Sequence, residues 1–126
     1  MSARPQTDLA LADVAPSATV TVTVVTVRGK PTVVCSPDPV VVKTPERPMA
    51  FRLDAPGYVF RDEHAVVVSN GGTEFPRPSK TSKNGQQASL WNCDRDTASY
   101  KYSVFLKNTT TGEILFVDPT IQNDPD

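Results

Sequence analysis

The chain contains one histidine, two cysteines and one tryptophan in 126 residues. These shortages exclude several kinds of chemistry. A blue-copper centre needs two histidines and a cysteine, and a zinc site built on two histidines fails for the same reason. A Ser–His–Asp triad would have to use His64, which follows Asp62-Glu63 in a short connector, and no Gly-x-Ser-x-Gly elbow supports it. His64 therefore reads as a solvated side chain. Cys35 and Cys93 form no Cys-x-x-Cys pair. Cys35 ends a valine-rich strand and reads as core, and the acid beside Cys93 works against a reactive thiolate. A Cys35–Cys93 disulfide is open on sequence grounds. Glycine motifs for phosphate are absent. A formal charge of -1 gives no general attraction to nucleic acid or to an anionic membrane. No apolar run approaches the ~18 residues of a spanning helix. The first residues lack the basic start and continuous apolar region of a secretion signal, which makes the cytoplasm the expected compartment. No catalytic residue, cofactor or metal is expected.

Valine and proline are plentiful. Twelve prolines punctuate the chain, leucine is sparse, and the balance favours strands over helices. The expected organisation is an N-terminal arm over 1–17 followed by one domain over 18–126. Residues 18–28 predict a strand whose valine phase slips at Val24-Val25, the mark of a bulge or of a strand passing between sheets. A turn at Gly29-Lys30, a returning strand ending at Cys35, a stop at Ser36-Pro37-Asp38-Pro39 and a short strand Val40-Val42 follow. Met49, Phe51 and Leu53 alternate inward. Tyr58-Val59-Phe60, then 65–69 and 88–91, are further strands. The segment from Phe75 to Gln87, with Arg77, Lys80 and Lys83, reads as a long exposed loop.

The most informative stretch is Asp96-Thr97-Ala98-Ser99-Tyr100-Lys101-Tyr102-Ser103-Val104-Phe105-Leu106. From Tyr100 its residues alternate as in a strand with one face on a core. A turn at Thr109-Thr110-Thr111-Gly112 leads into Glu113-Val117, apolar on both faces and so expected to be buried. Pro119, lacking an amide donor, should end that strand, leaving 120–126 as a tail.

Asp96-x-Ala98-x-Tyr100-x-Tyr102 resembles the tyrosine corner of immunoglobulin-like domains, where a Tyr hydroxyl bonds a backbone group upstream. Tyr102 then stands where antibody domains carry the second disulfide cysteine. The resemblance implies an all-β, immunoglobulin-like β-sandwich of about 7–9 antiparallel strands. The end of the chain, Phe116-Val117-Asp118-Pro119-Thr120-Ile121-Gln122-Asn123-Asp124-Pro125, is similar to the C-terminus of the small bacterial DP-EP family, and Asp38-Pro39 supplies a second such dipeptide. The chain departs from the pattern in having no Glu-Pro dipeptide. The bacterial inclusion-body protein family also carries a late Asp-Pro after a Tyr-rich strand. Neither resemblance brings catalytic residues.

The expected function is a non-enzymatic binding or assembly module acting through loops or a sheet edge, above all the edge beside Asp118-Pro119. Its partner would be a protein or a second copy, not nucleic acid or membrane. Exposed valine or aromatic patches on an outer sheet face would favour this reading. The alternative is a calcium or carbohydrate site at one end of the sandwich, lined by Asp94, Asp96 and Asp118 with Trp91 or Tyr58.

Overall fold

The computed structural model describes residues 15–126. All but the last three residues of the expected N-terminal arm lie outside them. The described chain is a two-sheet β-sandwich, as the strand periodicities require. The first sheet has the order β2(Lys30–Ser36), β1(Thr19–Val27), β4(Arg47–Leu53), β8(Gln87–Asn92), β7(Lys80–Thr81). The second is centred on β9(Ser99–Asn108). One edge of β9 pairs with β10(Ile114–Val117) and β11(Thr120–Asn123), and β11 pairs in turn with β3(Val40–Val42). The other edge pairs with β5(Tyr58–Phe60) and β6(Val66–Val68).

β9 is thus the strand the second sheet is built on. Its inward side chains Tyr102, Val104 and Leu106 are fully buried. They meet Met49 and Phe51 of β4 and Leu90 of β8 in one core. Phe51 and Tyr102 touch across the two sheets, ring centroids 5.8 Å apart. Such a contact adds about 0.5–1.5 kcal/mol to the burial of the rings. The Tyr102 hydroxyl faces the Cys35 sulfur but forms no well-made hydrogen bond among the described residues. Both cysteines are free thiols.

Several expectations change. Strand β10 ends at Val117, just before Asp118-Pro119, but the chain resumes the same lane as β11. Ile114↔Lys107 and Gln122↔Ser99 lie on one continuous register, and the Tyr102 amide donates to the Pro119 carbonyl at 3.0 Å between them. Proline removes a single ladder bond, and the apolar residues on both sides hold the alignment. The presumed tail is therefore strand β11, with Ile121 and Asn123 buried. Likewise β5 and β6 share one lane along β9, separated by a bulge over 61–64. Counted as lanes, the eleven segments make nine strands, and two of the pairings, β1 with β4 and β3 with β11, are parallel.

No bulge or change of sheet occurs at Val24-Val25. β1 and β2 stay in register from Thr21↔Ser36 to Val27↔Lys30. The phase slip marks where the hairpin runs past the core, leaving Val25 and Val27 exposed. Its turn is Arg28-Gly29 rather than Gly29-Lys30. Both residues have positive φ, 51° and 78°, the requirement of a type I′ hairpin.

The segment from Phe75 to Gln87 is not a free loop. It contains β7, and it covers the outer edge of β5 and β6. The Phe60 amide donates to the Gly85 carbonyl at 2.8 Å, the Val66 amide to Ser79 Oγ at 3.1 Å, and Thr81 Oγ1 to the Arg61 carbonyl at 2.8 Å. A Cβ on Gly85 would stand 2.6 Å from Val59 Cβ, so only glycine permits this approach. Beside Asp118-Pro119, β11 is paired with β3 and β10 lies alongside β2. The β11 edge is thus paired within the chain, whereas the outer edge of β10 forms no ladder with β2.

Candidate functional site

The residues proposed for one end of the sandwich fall in three places. Tyr58 pairs with Asn108, at the far end of a ten-residue strand that spans about 30 Å, whereas Asp96 precedes its first residue. Trp91 is on the outer face of the first sheet, with the Arg77 guanidinium 4.8 Å from its ring centroid. Asp118 is on the outer face of the second sheet, accepting from Ser103 Oγ at 2.6 Å. Only Asp94 and Asp96 come together.

These two belong to a buried polar knot where β8 hands over to β9. Asn92 ends β8 and Asn123 ends β11, and both are wholly buried. Asn92 Nδ2 donates to Asn123 Oδ1 at 2.8 Å. Asn123 Nδ2 donates to Asp96 Oδ1 at 3.2 Å, and Asn92 Oδ1 accepts the Asp94 amide at 2.9 Å. Asp96 also accepts the Tyr100 hydroxyl and, at 3.2 Å, the Ala98 amide. The tyrosine of the corner therefore bonds a side chain four residues upstream, not a backbone group. Burial pushes the Asp96 carboxyl up, but the donors from Tyr100, Ala98 and Asn123 outweigh it and hold the group below its ordinary value. The same contact pushes the Tyr100 hydroxyl up to about 12.

Asp94 has the opposite setting. It is wholly buried, and neither carboxylate oxygen has a hydrogen-bond partner among the described residues. Burial, with the Glu74, Asp96 and Asp124 carboxylates nearby, pushes it up to about 6, eased only by the Asp124 amide, which also donates to the Val42 carbonyl. Asp94 has φ 50°, and its side chain is buried rather than presented to solvent as a turn aspartate commonly is. Among the described residues no three His, Cys, Asp or Glu side chains converge to hold a metal ion.

The cysteines are raised by burial, Cys35 to about 12. Cys93 is raised by burial and by Glu46 and Glu74. Neither setting favours a thiolate.

The surface has two further features. An open trough of about 920 Å³ lies across the first sheet. Its floor is the small-residue row Thr19–Ala50–Ser89, and its flanks include Arg52, Lys80 and the Asp62-Glu63-His64 bulge. Arg61 fixes that bulge, donating to the Glu63 and His64 carbonyls at 3.0 and 2.6 Å. The bulge leaves His64 exposed.

The second feature is an apolar ridge on the outer face of the second sheet, which sequence reasoning placed in the core. Phe116 is 60 % exposed and Ile114 42 %. Phe116 stacks on its cross-strand partner Phe105, centroids 5.7 Å apart, and the Arg61 guanidinium covers Phe105 at 3.9 Å. Val67, paired with Ser103 next to Phe105, is 40 % exposed. Lys101 and Lys107 border the ridge, as does Asp118. A strand apolar on both faces is buried on both only if a second layer covers it, and here nothing in the described chain does.

Compared with protein-family models and with curated proteins, the chain matches none.

Proposed function

We propose that this protein is a non-enzymatic assembly module that pairs with a second copy of itself through the outer face of its second sheet. The observation that carries this reading is the Phe105–Phe116 stack with Ile114 and Val67 exposed around it. Solvated aromatic and aliphatic side chains gathered on a sheet face mark contact surfaces. The face is self-complementary in charge. Lys101, Lys107 and Arg61 share it with Asp118, so a two-fold axis through the ridge can set opposite charges around the apolar centre. A net charge of -1 adds little repulsion between copies. Because the apolar side chains stand on the sheet face, contact is by the face and not by strand addition.

The fold reading supports this placement. We infer an immunoglobulin-like arrangement: β9 flanked by β5/β6 and β10/β11, β3 parallel to β11, and β4, β8 and β7 opposite. The Phe51–Tyr102 contact would replace the inter-sheet disulfide. The β1–β2 hairpin is an addition to that pattern. The similarity of the C-terminal residues to the DP-EP family, itself without established activity, is compatible with a binding role.

Sedimentation velocity over a hundredfold concentration range tests the proposal. Dimer is expected at the upper end, with Phe116→Lys monomeric throughout and melting as the parent does. A parent that stays monomeric removes the self-assembly reading.

A further inference from the structure

Burying a carboxylate strands two acceptor oxygens that water would otherwise serve. At Asp94 both are buried without a well-made hydrogen bond among the described residues, the Asp124 amide being the one donor nearby. Three neighbouring elements add negative charge: Glu74 from the 3-10 turn, Asp96 from the same connection and Asp124 from the end of β11. The cations close by are engaged elsewhere. Lys43, beyond β3, contacts Asp124 at 2.9 Å and Asp126 at 3.9 Å, and Arg95 contacts Glu46 at 2.8 Å. An ionised group in such a place is strongly disfavoured, while the neutral acid, with its added proton, has no charge to desolvate and can itself donate.

The geometry points to a proton-operated latch. Protonated Asp94 fits the closed connection between β8 and β9, and ionised Asp94 loosens it. The connection matters because it carries the Asn92–Asn123–Asp96 knot, which ties the first sheet to the second. Loosening there frees the start of β9 without disturbing the hydrophobic core below it. The direction follows from linkage. A carboxyl whose folded-state affinity for protons exceeds its unfolded one gives a protein that is more stable in acid, and the advantage fades as pH rises through the folded value. The inference does not depend on the dimer proposed above.

The test is thermal melting at about pH 5 and about pH 7.5, a window in which the unfolded-state aspartate stays ionised. A His64→Ala background removes the only histidine of the chain, which would otherwise titrate in the same range. That protein should melt roughly 4 °C or more higher at the lower pH. Adding Asp94→Asn should abolish the difference and raise the melting temperature at the higher pH. An equal or lower melting point in acid, or a difference that survives Asp94→Asn, overturns the latch. Hydrogen exchange on the His64→Ala protein alone decides the matter if Asp94→Asn does not fold. Protection of the Asp94 and Ala98 amides should fall at the higher pH, and unchanged protection overturns the proposal.

Discussion

Asp94 and Asp96 stand two residues apart in one connection, and their surroundings drive them in opposite directions. Asp96 is partly exposed and receives donors from Tyr100, Ala98 and Asn123. Asp94 is wholly buried and receives none well made. Proximity in sequence says little about the electrostatics of a carboxylate. What decides it is whether the fold brings donors to the oxygens or only removes water from them. Asp96 is a structural acceptor that stabilises when charged, and Asp94 stabilises only when neutral.

The contrast can be broken at several points. Asn123→Ala should have the largest effect, costing about 2–3 kcal/mol, because it strands the buried Asn92 amide and removes a donor from Asp96 together. Urea unfolding would measure it, with an unchanged m-value showing that the sandwich persists. Asp96→Ala should cost about 1–2 kcal/mol, discounted for partial exposure. Its pH signature is opposite to that of Asp94. Asp96 contributes stability above the ordinary aspartate value, and the contribution is lost as pH falls through its lowered folded value. Acid titration of the parent against Asp96→Asn, followed by circular dichroism below about pH 4, should show that loss only in the parent. Tyr100→Phe removes one donor from Asp96 and should cost about 1 kcal/mol, and in NMR titration the Asp96 carboxyl should move back up. The smallest effect on stability is expected on the outer face. Phe116→Lys should change unfolding free energy by less than about 0.5 kcal/mol while abolishing self-association. Stability and assembly would then separate by region, the knot governing one and the ridge the other.

The strand inventory was largely legible in the chain. Alternation in Tyr100–Leu106 and Met49–Leu53 fixes which residues face inward, because the strand period is two whatever the strand pairs with. The central place of β9 follows from its length and its unbroken inner face. The candidate surfaces were less legible. Ile114-Leu115-Phe116-Val117 reads as buried because apolar side chains on both faces usually mean two covering layers, but the sequence does not say that the second layer is missing. The polar knot was half visible through the Asp96–Tyr100 spacing. Asn92 and Asn123 gave no signal, since they meet only after β8 and β11 have been placed in opposite sheets.

The sequence by itself determined the all-β character, the inward faces of the main strands, the glycine-dependent turn at Gly112 and the poverty of catalytic side chains, all of which depend on local geometry or composition. Only the tertiary structure decided that Asp118-Pro119 lies within a continuous lane, that residues 79–87 cover a strand edge, that Phe116 faces solvent and that Asp94 is buried without a well-made hydrogen bond. Each of these depends on which distant segment comes to lie alongside, and burial and hydrogen-bond supply are properties of that neighbour as much as of the residue itself.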